Sequence, residues 1–197
     1  ALNAAKSAAE TLLDDAGWVL QNGKRVKAGS ELTLSLISYP FRPGLGIMAP
    51  HIKTSLESVG ITVDAQDVNL WSPPHNAILA DKTYDLLMWA QHTLPNGDPQ
   101  WFLNAFFRGN PMDGRNYAGV NSSTIDTLLN DLAVAGHANN VRINAASAAH
   151  SEILAEVAVS NLVTPQWHIG VSERLSDYDP WNADYNVIRA DFLETGA

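Results

Sequence analysis

The hydrophobic positions of this chain change period from one segment to the next. Ala5, Ala8, Ala9, Leu12, Leu13 and Ala16 fall on one helical face, and Gly17 is a natural residue just past a helix end, so a helix over Asn3–Ala16 is expected. Gln21–Ser30 is basic and contains glycine, as a hairpin or a connection does. Glu31–Ser38, reading ELTLSLIS, alternates strictly and puts Leu32, Leu34 and Leu36 on one side, the pattern of a half-buried strand. Pro40, Pro43, Gly44 and Gly46 predict a loop. Met48, Ile52, Leu56 and Val59 then repeat at helical spacing up to Gly60, giving a helix over Ala49–Val59. Ile61–Val68 reads as a second strand, Pro73 and Pro74 open a short helix near His75–Ala80, and Tyr84–Trp89 is a third strand.

Helices alternating with strands imply βαβ units and a largely parallel sheet. The expected fold class is therefore α/β, with a mixed, mostly parallel sheet and flanking helices. The third strand leads into a break at Thr93–Pro99, where Asp98 suits a helix cap and Pro99 the first helical position. An aromatic helix follows with Trp101, Phe102, Leu103, Phe106 and Phe107, then a polar loop from Arg108 to Asn116. Ile125, Leu128, Leu129 and Leu132 mark a helix starting near Ser122 or Ser123. Gly136 separates it from an alanine-rich helix, about Asn139–Val157. Ser160–His168 is a fourth strand candidate, and Tyr185–Ile188 a last short one.

Composition narrows the function classes. At 197 residues the chain suits one large domain or one lobe. A net charge of −9 argues against a nucleic-acid partner, which needs a basic surface. There is no cysteine, which excludes disulfides and thiolate metal sites. No run is long and apolar enough to span a membrane. The sequence opens directly in a helical pattern with no visible signal peptide, as a mature or excised fragment does.

Catalytic motifs fail. The six histidines are scattered without zinc spacing, Lys24 is followed by Arg25 where a phosphate loop needs Ser or Thr, and the string Gly170-Val-Ser-Glu-Arg174 ends in arginine rather than glycine. No catalytic residue, metal or cofactor is expected. The candidate ligand contacts are instead His92, Asn96, Trp101, Arg108, Arg115 and Asn116. The strand ending at Trp89 delivers the chain to the carboxyl edge of the sheet, where α/β folds bind ligands. His92 and Asn96 belong to the polar turn, and Trp101 lies on the first turn of the aromatic helix, whereas Trp89 reads as core. Two arginines in one loop of an acidic protein point to recognition of an anion or carboxylate.

The order of these pieces carries a resemblance. AAKSAAETLLDDAGW, ELTLSLIS, HIKTSLESVGITV, KTYDLLMWA, GDPQWFLNAFF and NYAGVNSSTIDTLLNDL, followed by Arg142 in a helix, resemble the C-terminal half of the peptide/nickel family of extracytoplasmic solute-binding proteins. These are family 5, the receptors of ABC importers for peptides, nickel complexes and related chelates. The resemblance covers nearly the whole chain. It implies a periplasmic-binding-protein-like lobe over residues 1–197, similar to the second large lobe of a two-lobed protein, with the first lobe absent. It also implies a small-molecule ligand (a peptide, nickel, metal chelate or amino-acid derivative), an ABC permease as membrane partner, a monomer and no catalysis. The location implied is extracytoplasmic, in the periplasm or as a cell-surface lipoprotein, with a signal peptide upstream.

Two departures bear on the ligand. Peptide-binding members often carry an aspartate before the turn corresponding to Asn96–Pro99, pairing with the α-amino group; here Thr93, Leu94 and Pro95 precede it. Some nickel-binding members place a histidine in the loop after the aromatic helix, and Arg108–Asn116 has none. The residues themselves leave open a metal-assisted hydrolase using His92 and nearby carboxylates, and a stand-alone interaction domain.

Overall fold

The computed structural model describes residues 2–95, 97–109, 114–136, 140–166, 168 and 170–175. They fall into two compact units, Ala1–Gln91 and His92–Ala197. The expected strand at Tyr185–Ile188 lies outside the described residues.

The first unit opens with helix α1 (Leu2–Asp15) and a three-stranded antiparallel meander of β1 (Val19–Gln21), β2 (Lys24–Lys27) and β3 (Ser30–Glu31). The basic segment is thus a hairpin whose arms pair. Strand β4 (Thr33–Ser38) leads to helix α2 (Pro43–Glu57), strand β5 (Thr62–Asp67), a 3-10 turn at His75–Ala77 continuing as helix α3 (Ile78–Asp81), and strand β6 (Leu86–Leu87). β4 lies between its neighbours in a parallel sheet of order β5-β4-β6, with Thr33 opposite Thr62, Ser38 opposite Asp67 and Ile37 opposite Leu87.

The core of this unit comprises Leu36, Ile37, Tyr39, Leu45, Val59, Ile61, Val63, Leu70 and Met88, with Ala9 and Leu13 of α1 packed against it. Strict alternation in ELTLSLIS predicts one buried face, but consecutive residues Leu36, Ile37, Ser38 and Tyr39 are all buried. A central strand of a parallel sheet is covered on both sides, so alternation disappears where the cover is complete. Arg25 is buried too. Its Nε donates to Val59 O at 2.8 Å, and its Nη1 to Trp18 O at 2.9 Å and Asp14 Oδ1 at 2.6 Å. One side chain thereby ties the meander to the ends of α1 and α2.

The second unit contains helices α4 (Gln100–Phe107), α5 (Ser123–Val134) and α6 (Val141–Ala155). Ser122 caps α5, its hydroxyl accepting from Ile125 N. Leu103, Phe106 and Phe107 of α4, Ile125, Leu129 and Leu132 of α5, and Ala149 and Ile153 of α6 are buried. These positions recur every three or four residues along each helix, as an amphipathic stripe requires.

Three expectations need correction. Helix α2 begins at Pro43, so Pro43, Gly44 and Gly46 are helical rather than loop. Proline fits the first helical position because its missing N–H has no partner there. The third strand pairs only at Leu86–Leu87, not over Tyr84–Trp89. Side chains flank the short ladder: Asp85 Oδ2 accepts from Ser35 N and Oγ, both at 2.8 Å, and Tyr39 Oη accepts from Ala90 N at 3.2 Å. Finally, the described residues of Ser160–His168 form no strand. Pro165 removes a ladder donor, and Leu162 and Val163 are exposed.

Candidate functional site

In a parallel sheet every strand delivers its carboxyl end to the same edge, and in the first unit each of those ends leads into an aromatic residue. Tyr39 and Phe41 follow β4, Trp71 follows β5, and Trp89 follows β6. Tyr39 meets Trp71 edge-on with centroids 5.1 Å apart, and its ring lies 5.3 Å from that of Trp89. Phe41 and Trp71 are 5.6 Å apart, and Trp71 and Trp89 6.2 Å. Rings this close leave no gap for a guest between them. The cluster is therefore a ledge, and it offers the outer faces of Phe41 and Trp71, which are 61% and 54% exposed. The backbone at Trp71 is held by Asn69: the Trp71 backbone N–H donates to Asn69 Oδ1 at 3.0 Å, and Asn69 Nδ2 donates to Ser72 Oγ at 3.1 Å. Sequence reasoning passed over Tyr39, Phe41 and Trp71. The signal was an aromatic residue shortly beyond the end of each successive strand.

The residues singled out from the sequence all belong to the second unit. Asn96 lies outside the described residues. His92 is half-buried at the start of the unit. The expectation of Asp98 as helix cap and Pro99 as first helical residue is off by one: α4 opens after the cap position Pro99. Asp98 stands one residue before the cap, and its Oδ1 accepts at 2.8 Å from the backbone N of the first helical residue, Gln100. One residue further on, Trp101 is 39% exposed, and the guanidinium carbon of Arg115 sits 5.4 Å from its ring centroid. That is cation–π range, and it joins the aromatic helix to the loop.

Arg108 turns back on its own helix, Nε and Nη2 donating to Asn104 Oδ1 at 2.9 and 2.7 Å. Asn116 is buried. Its Nδ2 donates to Arg108 O at 3.0 Å and Val120 O at 2.7 Å, while its Oδ1 accepts from Val120 N at 2.9 Å. The structure thus brings Trp101 to Arg115 and Arg108 to Asn116. The first pair forms a cationic stack on an exposed ring, and the second closes the loop.

Sequence reasoning also assigned no task to Arg142. Its guanidinium pairs with Asp98 Oδ2, reaches Gln100 Oε1, and donates to Leu132 O at 3.0 Å and Ala135 O at 3.2 Å. The hydrogen bond to Asp98 raises its pKa above the ordinary arginine value, so it stays cationic. Among the described residues, no group of three or more His, Asp or Glu side chains is placed to hold a metal ion, and no helix is long and apolar enough to cross a membrane.

Residues 3–114, more than half of the chain, match the profile of bacterial extracellular solute-binding proteins, family 5, middle part. The chain belongs to that family. Its members are extracytoplasmic proteins that bind small-molecule ligands and work with ABC permeases. Nickel-binding protein NikA of Staphylococcus aureus (strain NCTC 8325 / PS 47) is 29% identical over 103 residues, which are 51% of this chain and 20% of NikA. The uncharacterized protein YejA of Escherichia coli (strain K12) is 26% identical over 183 residues, 88% of this chain and 28% of YejA. Among solved structures, NikA from Staphylococcus aureus in complex with Ni(L-His)2 superposes with a TM-score of 0.64 at 22% identity, over 78% of this chain and 30% of that one. The α/β fold is that of these family 5 structures, and the chain spans between 20% and 30% of the relatives' length.

Proposed function

We propose that this chain is part of the substrate-binding component of an ABC importer, and that its cargo is a small peptide, nickel, or a metal chelate or other amino-acid-derived compound. Residues 1–197 belong to the C-terminal ligand-binding lobe of a two-lobed receptor. The receptor is a monomer, held in the periplasm or as a cell-surface lipoprotein, that binds its cargo without chemical change and has no nucleic-acid partner. The observation that carries this reading is the aromatic ledge of Tyr39, Phe41, Trp71 and Trp89, set at the carboxyl edge of a parallel sheet in a chain of this family. Binding clefts are walled by aromatic faces with a few placed polar groups, and the Trp101–Arg115 stack supplies such a pairing in the second unit.

Arg115 and Trp101 carry the contact with an anionic group of the cargo, because the planar guanidinium fork matches a carboxylate and the exposed indole beside it offers an apolar face. Arg108 and Asn116 shape that loop, and His92 and Asn96 are the further candidate contacts. The Ni(L-His)2 ligand of the Staphylococcus aureus NikA structure supports a chelate bearing carboxylates as the first cargo to test.

The test uses the full-length protein and reads the rise in melting temperature caused by nickel(II) with two equivalents of L-histidine, and separately by a mixture of di- to pentapeptides. At least one should raise the wild-type melting temperature, and Arg115→Ala and Trp101→Ala should each abolish most of that rise while melting normally without cargo. A wild-type shift retained in full by both variants would remove these residues from the site.

A further inference from the structure

The geometry points to Arg142 as a positioning residue that sets the first turn of α4, and with it Trp101, for ligand binding; this rests on the proposed receptor function. The side chain comes from the first turn of α6, two residues after the cap position Asn140. It meets acceptors on two other helices. On one side are Leu132 O, which also accepts from Ala135 N, and Ala135 O, both at the carboxyl end of α5, where the helix dipole favours a cation. On the other side are Asp98, two residues before α4, and Gln100, its first residue.

Asp98 is the pivot of this arrangement. One of its oxygens accepts from Gln100 N at the start of α4 and the other takes the Arg142 guanidinium. The turn after residue 92 therefore reaches its helix through a carboxylate that is held at both oxygens. Gln100 and Trp101 are adjacent, so the acceptor held by Arg142 lies one residue from the exposed indole that carries Arg115. A planar fork can serve a carboxylate, an amide oxygen and two carbonyls together, whereas an ammonium group cannot span them. None of these acceptors belongs to a ligand, so Arg142 acts through Trp101 and not by touching cargo.

The experiment compares wild type, Arg142→Met and Arg142→Lys in the full-length protein labelled with 5-fluorotryptophan, the Trp101 resonance being assigned by Trp101→Phe. In Arg142→Met the 19F signal of Trp101 should shift or broaden while those of Trp18, Trp71 and Trp89 stay in place. Arg142→Lys should restore the charge but not the wild-type signal. Where wild type binds the nickel–histidine complex or a peptide, the dissociation constant should rise at least tenfold in both variants. An unmoved Trp101 signal in Arg142→Met overturns the proposal whether or not any cargo is found. Movement of all the tryptophan signals together overturns it equally, since the residue would then support the fold at large. A Trp101 signal that moves as expected in a protein that binds neither probe leaves the positioning role standing and counts against the receptor reading.

Discussion

Asn116 shows how a side chain suited to ligand contact can be spent on its own loop. The sequence places it at the end of a polar, arginine-bearing segment, where an amide suits a ligand contact. In the fold it is buried and bonded to Arg108 O and to both backbone groups of Val120. Asn116→Ala should cost about 2 kcal/mol in a urea unfolding experiment, because it strands buried backbone groups. A loss below about 0.5 kcal/mol would mean that water replaces the amide at no cost. Arg25 makes a parallel case. Its charge reads from the sequence as part of a basic hairpin, yet the side chain is 2% exposed and serves two backbone carbonyls. Arg25→Met should cost about 2–3 kcal/mol, and Arg25→Lys should recover little of it, since a lysine cannot reach Val59 O and Trp18 O with one rigid fork. Full recovery by lysine would show that charge alone matters there.

Among the elements, the start of α4 can be dissected by two substitutions at one position. Asp98 both accepts from the backbone N–H of Gln100, the first helical residue, and pairs with Arg142. Asparagine keeps an accepting oxygen and loses the charge, whereas alanine loses both. Asp98→Ala should therefore be less stable than Asp98→Asn by about 1 kcal/mol, the usual worth of a cap, as read from urea midpoints. Equal midpoints would assign the stability to the ion pair alone. Helices α1, α5 and α6 and the existence of the three parallel strands were legible in the sequence, because their signals are local: a period, a glycine stop, a Ser before an apolar run. The start of α4 was read one residue early, at Pro99. What escaped depends on distant partners. Gln21–Ser30 could be read only as a hairpin or a connection, because its arms are too short to show a period, and Pro43 and Gly44 look like loop until a helix is built through them. Leu162 and Val163 look like strand, but no described strand pairs with them. Trp101 and Arg115 could be named from the sequence as separate candidates. That one stacks on the other, and that Tyr39, Phe41, Trp71 and Trp89 converge, follows from sheet register and loop geometry.

For the molecule as a whole, the claim is that these 197 residues carry part of a cargo site that the rest of a longer receptor completes. A ledge open to solvent gives a ligand contact on one face only. Affinity gained by excluding water from both faces is lost when one wall is missing. Within the full-length protein, Trp71→Ala should weaken binding of the responsive cargo about tenfold, near 1.4 kcal/mol, the scale of one ring stacked on another, as read by calorimetry. Unchanged affinity would place the cargo away from the ledge. The most direct test of the central claim is a calorimetric titration of this chain and of the full-length protein with the same cargo, the nickel–histidine complex or the peptide that raises the melting temperature. The account predicts saturable binding by the full-length protein and at least hundredfold weaker binding, about 2.7 kcal/mol, by this chain alone. Equal affinity in the two would contradict it, because the site would then be complete within these residues.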